Sequence, residues 1–203
     1  YFWEFTPLNI LTIGLTLFLT PLIGLKVSPF LAATLGKRKT IIYLFAIAFI
    51  AENIIILMRI LNILPGNESV FILPLVLIFH WIAISAQIIS YTNLASMVFD
   101  TVEEVEKLTG RRMEGTLLAA RSFAQKCMSG AGAFLAGLIL SYAAWPKGAV
   151  AGEVESSILN SVGLSAISIS AILWLSAIFV FSKVRMTRAS HEDNLGELNY
   201  SND

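Results

Sequence analysis

Five apolar runs, each long enough to cross a lipid bilayer, limit this chain to one class of fold. A spanning helix needs roughly 20 mostly apolar residues. The runs cover residues 8–35, 40–63, 70–99, 115–144 and 158–183. None keeps up a period-two alternation, which argues against a β-barrel. The chain is 56% hydrophobic and 14% charged, whereas soluble domains carry about a quarter charged residues. The expected fold is an all-α integral membrane bundle of five transmembrane helices over residues 1–184, followed by a tail at 185–203. Residues LGKRKT, LPGNES, the charged stretch from Asp100 onward and WPKGAVAGEVESS separate the runs and read as loops.

The basic residues orient the bundle. Lys37, Arg38, Lys39, Lys107, Arg111, Arg112, Lys183, Arg185 and Arg188 fall on one side, and Lys147 alone on the other. An excess of Lys and Arg in short loops marks the cytoplasmic face. The predicted topology is a multi-pass protein of the cell membrane with a cytoplasmic C-terminus and Tyr1 outside. Trp3 and Trp145 sit where interfacial aromatics are expected. The chain opens on YFWEF, with no signal-peptide pattern, and reads as the middle of a longer polypeptide. Asn67-Glu68-Ser69 matches a glycosylation sequon, a pattern too short to carry weight.

Several chemistries find no support. The formal net charge is zero, so no nucleic-acid partner is expected. Cys127 is the single cysteine, and His80 and His191 stand far apart. No disulfide, metal cluster or resident cofactor is expected. No HExxH, paired metal-ligand carboxylates or Ser/His/Asp set points to an enzyme.

Lys26, Arg59, Arg121, Lys126 and Glu52 lie inside the apolar runs, where a charge costs about 2.5–3.5 kcal/mol on insertion scales. Arg59 is near the outer end of its span and reads as a snorkelling side chain. Arg121 divides between snorkelling and gating. Lys126 lies roughly 10–15 Å along the helix from the charged stretch, too deep for easy snorkelling. It reads as a coupling or substrate residue, or else as half of a structural ion pair. Ser129, Ala133, Gly137 and Ser141 follow it at four-residue spacing, a ridge suited to close helix packing. Glu52 is too far along the axis from Arg59 to pair with it, so it needs another partner or a proton. Lys26 lies between Pro21 and Pro29, on a helix expected to bend. Span three offers Gln87, Tyr91, Thr92 and Asn93 as hydrogen-bonding groups, with His80 and Trp81 read as packing residues. Cys127 reads as a small core residue.

The charged stretch carries a resemblance. Asp100, Glu103, Glu106, Thr109-Gly110-Arg111-Arg112, Glu114-Gly115 and Lys126 resemble the C-terminal half of a major facilitator superfamily transporter. The resemblance is greatest to the glycoside-pentoside-hexuronide:cation symporters, the melibiose-permease-like group. YFW, Leu35-Gly36-Lys37-Arg38 and MTRASHEDNLGEL add to it. It implies a symporter in which two halves rock about a central site, with these spans as the last five of twelve. The N-terminal half of the same transporter would then be the partner, along with the lipid bilayer and a small solute, possibly a sugar or glycoside. The coupling cation would be Na+ or H+, held mainly in the N-terminal half. Lys126, Lys26, Gln87, Tyr91 and Asn93 would serve substrate or coupling. Asp100, Glu103, Arg111, Arg112 and Glu114 would form a cytoplasmic gate. Sugar-transporting members carry Asp-Tyr-Gly where this chain has Glu103-Glu104-Val105.

Two other classes stay open at this point, a non-transporting membrane scaffold and a five-span membrane enzyme. The orientation is directly testable. In a Cys127-free background, a membrane-impermeant thiol reagent applied from outside should label cysteine placed at Asn67 or Gly148, but not at Thr109 or His191. External labelling at Thr109 with none at Gly148 would invert the topology.

Overall fold

The structure is a computed structural model that describes residues 1–183. The expected tail, with Arg185, Arg188 and His191, lies outside the described residues. The described chain forms six α-helices in the order α1 (Pro7–Leu17), α2 (Thr20–Leu35), α3 (Lys37–Ile60), α4 (Ile72–Thr109), α5 (Glu114–Tyr142) and α6 (Ser156–Lys183). With α1 and α2 taken together, five segments are long and apolar enough to cross a membrane. No strand occurs among the described residues.

The first span is divided for a reason visible in its sequence. Pro21 has no N–H to give the Leu17 carbonyl, and its ring crowds that carbonyl. The helix stops, and Thr20 Oγ1 donates to Leu17 O at 2.7 Å in place of the lost bond. The break therefore falls at Phe18 and Leu19, ahead of the expected bend around Lys26. Pro29 is accommodated inside α2.

The charged stretch differs from the expected loop. α4 runs unbroken to Thr109, so Asp100 to Thr109 is helix. No Gly or Pro interrupts the run after Pro74, and Glu103 precedes Lys107 by four residues, a spacing that favours helix. Gly110 ends it with φ 67° and donates its N–H to Glu106 O at 2.7 Å. At 38 residues, α4 is about 57 Å long, well beyond a hydrocarbon layer of about 30 Å.

α3 is the most embedded helix. It packs against α2, α4 and α6. Ile41, Phe45, Ala48, Ala51 and Ile55 recur every three or four residues and are all buried, the stripe of a core-facing helix. Phe45 anchors an aromatic cluster with Trp174 and Phe181 of α6. α2 approaches α4 through Gly24, where an added Cβ would stand 2.7 Å from Ile88 Cγ2. α5 is the opposite case. It touches only α4 and α6 among the described helices, and none of its residues is buried. The ridge of Ser129, Ala133, Gly137 and Ser141 is exposed, so the close packing expected of it is not made inside this chain.

The basic end is pinned by two side chains from the α2–α3 turn. Lys37 Nζ donates to both carboxylate oxygens of Asp100 at 2.8 and 2.7 Å, tying α3 to α4. Arg38 donates to the Phe181 carbonyl at 3.1 Å and also to that of Ser182. A cation on the last carbonyls of a helix satisfies acceptors that have no intrahelical donor.

Two stability measurements follow from these contacts. Gly24→Ala should destabilise the bundle by about 1–3 kcal/mol through overpacking, and adding Ile88→Ala should restore most of the loss in a thermal-melting assay. Lys37→Ala should cost about 1–3 kcal/mol by removing the ammonium from which both oxygens of a half-buried carboxylate accept. The reversed pair Lys37→Asp with Asp100→Lys should recover it, since an acid on the first turn of α3 also suits the helix dipole.

Candidate functional site

Several polar side chains inside the spans gather on the α3–α4 seam and its neighbours. Lys37 and Asp100 set the register of the two antiparallel helices. Glu52 lies fifteen residues beyond Lys37 and Gln87 thirteen before Asp100, so both reach the same depth, about 20 Å from the clamp. There Gln87 Nε2 donates to Glu52 Oε2 at 3.2 Å. Tyr91 lies one turn nearer the clamp, 51% exposed, with its ring edge-on to Phe45 at 6.2 Å between centroids. A carboxyl, an amide and an open phenol thus line one side of the seam.

Asn93 stands apart from that surface. It is 2% exposed, and its Nδ2 donates to Ser28 Oγ at 3.0 Å and to the Ile89 carbonyl at 2.9 Å. It ties α4 to α2. On the other flank of α3, Ser170 Oγ donates to Asn53 Oδ1 at 2.9 Å, while Asn53 Nδ2 donates to the Phe49 carbonyl at 2.8 Å. These two asparagines bracket the seam and hold its helices in register by interhelical hydrogen bonds.

The two lysines expected in the site are placed differently. Lys26 on α2 and Lys126 on α5 are both exposed. Neither joins the salt bridges that the described residues make elsewhere. Arg59 donates to the Pro65 carbonyl at 3.0 Å in the loop beyond α3. Of the gate residues, Asp100 is engaged by Lys37 inside the bundle. Arg112 lies 3.2 Å from Glu114 and 3.7 Å from Glu106, which folds the Gly110–Met113 turn back on itself. Glu103 is half-buried and Arg111 exposed. Asn67 Nδ2 donates to the Phe2 carbonyl at 3.4 Å, so the sequon asparagine is engaged.

Sequence reasoning missed three partnerships. It counted Lys37 as an orienting charge and as part of the resemblance, left Glu52 without a partner and gave Asn53 no role. A signal for the first existed. Lys37 and Asp100 stand at the same membrane face on adjacent helices, so an antiparallel pair brings them level. The other two depend on helix rotation, which period alone does not fix.

The sequence model of the MFS/sugar transport protein family matches residues 1–188. No curated protein and no solved structure matches the chain. A family match across nearly the whole length, on an all-helical chain with five membrane-spanning segments, settles the class. The chain belongs to the MFS/sugar transport protein family, a family of membrane transporters within the major facilitator superfamily.

Proposed function

We propose that this chain is one half of a cation-coupled symporter that moves a small polar solute, of sugar or glycoside type, by alternating access. The basic end faces the cytoplasm in this reading, and a second helical bundle completes the transporter. The observation that carries it is α5. A 29-residue helix with no buried residue presents Lys126, the small-residue ridge of Ser129, Ala133, Gly137 and Ser141, and several apolar side chains to whatever lies beside it. Lipid is a poor neighbour for Lys126. A cavity shared with a second bundle gives it water, solute or an acid to face, and major facilitator sites form between two such bundles.

Lys126, Lys26, Gln87 and Tyr91 are the residues of this half that serve the solute and the coupling ion, Na+ or H+, together with groups from the partner bundle. Asn93 serves them indirectly by fixing α4 against α2. Asp100, Glu103, Arg111, Arg112 and Glu114 form the gate at the basic end. Ion pairs there break and re-form between states, and so shift a two-state balance by a few kcal/mol.

The test is uptake by the full-length transporter in proteoliposomes, with a panel of sugars and glycosides under sodium or proton gradients. Lys126→Ala should leave expression near normal and remove accumulation against a gradient. Lys126→Arg should restore it only in part, since a guanidinium differs from an ammonium in shape and hydration. Wild-type accumulation by Lys126→Ala would remove Lys126 from the site.

A further inference from the structure

Glu52 lies on the packed stripe of α3, yet the packing opens around it. Ala48 is 0% exposed and Ile55 6% exposed, one turn to either side, while Glu52 between them is exposed. The gap sits at the depth of Gln87, whose Nε2 is the hydrogen-bond donor to the carboxylate at 3.2 Å. None of the salt bridges among the described residues reaches it.

The surroundings hold few other charges. On α4, His80 lies seven residues from Gln87 and Tyr91 four, about 10 and 6 Å along the axis. On α6, Ser156 to Ser182 contain no titratable side chain. α2 brings only Lys26, which is exposed. On α3 itself, Tyr43 is nine residues away and exposed, and Arg59 is held by the Pro65 carbonyl. α5, with Glu114, Arg121, Lys126, Cys127 and Tyr142, makes no contact with α3 among the described residues. The carboxyl therefore faces a neutral amide inside an apolar span, with open space beside it.

We infer that Glu52 and Gln87 form a proton-binding site, loaded and emptied as the transporter cycles; this rests on the transport reading above. The two side chains are matched for it. A carboxylate can only accept, and takes one N–H from Gln87. When a proton from water forms an O–H bond on the carboxylate, the neutral acid still accepts that N–H and donates its own O–H to the amide oxygen. On release the O–H bond breaks, its electron pair stays on the carboxylate oxygen, and the proton returns to water. A metal ion is less well served. Gln87 turns a donor toward the carboxylate, and no cluster of metal-ligating side chains occurs among the described residues. Neutralising the acid suits a hydrocarbon setting, where carboxyl groups mark proton relays.

The experiment compares the full-length transporter with Glu52→Gln and Glu52→Asp in liposomes. Infrared difference spectra between acid and alkaline pH should show, within the summed carboxyl C=O bands of the protein, one component assignable to protonated Glu52 in the wild type. Glu52→Gln should lack it, and Glu52→Asp should keep it at a shifted frequency. In the transport arm, Glu52→Gln should lose at least tenfold in accumulation driven by a pH gradient while keeping solute counterflow, which needs no net proton movement. An unchanged carboxyl band in Glu52→Gln, or undiminished pH-driven accumulation, overturns the site. If no solute is transported by the wild type, the symport reading fails, and the infrared arm still decides the proton site by itself.

Discussion

A bilayer interior offers no hydrogen bonds, so each polar group in this bundle needs a partner within protein. Lys26 and Lys126 aside, the chain meets much of that demand, and at three scales. Hydroxyls return to their own helices, as Thr12, Thr92, Ser168 and Ser176 do by donating to carbonyls four residues back. Thr20 does the same work for a carbonyl that Pro21 leaves without a donor. Side-chain pairs then cross between helices, with Asn93 to Ser28 and Ser170 to Asn53 holding α2 and α6 against the central pair. Among the described residues, the charged pairs lie at the basic end, where water and headgroups temper the cost of ionisation.

That ordering explains why α3 and α5 differ so sharply. α3 is bonded to each of its neighbours: Thr40 to α2, Lys37 and Glu52 to α4, and Arg38 and Asn53 to α6. Among the described residues α5 shows no such tie to another helix, and nothing lies within 4 Å of a Cβ added at Gly130, Gly132 or Gly137. The packing of the described bundle thus centres on α3, with α5 at its margin.

Much of this fold was legible in the residues. The apolar runs gave class and span number because hydrocarbon thickness fixes helix length. Proline and glycine marked real breaks at Pro21, Gly36 and Gly110. What failed to read was continuity through charge. Asp100 to Thr109 looked like a loop because charges end a spanning segment, but leaving the membrane does not end a helix when no residue breaks it. The partner of the ridge on α5 was not legible for a different reason. Small-residue spacing states that a helix can be approached closely, without stating by what. Of the site, Gln87 and Tyr91 were recognisable as polar residues in an apolar run, whereas the Glu52–Gln87 contact needed the relative rotation of two helices.

The unbroken length of α4 has a mechanical consequence. From Gln87 to Gly110 the helix runs twenty-three residues without a break, about 34 Å. A stiff rod of that reach is a lever whose short displacements at one end grow at the other. A tilt of about 10° at the depth of Gln87 would carry Gly110 through about 6 Å, using the helical rise alone. The turn that follows is only four residues long before α5 begins at Glu114. It has little slack to absorb such a swing, so α5 would be drawn along with the tip of α4.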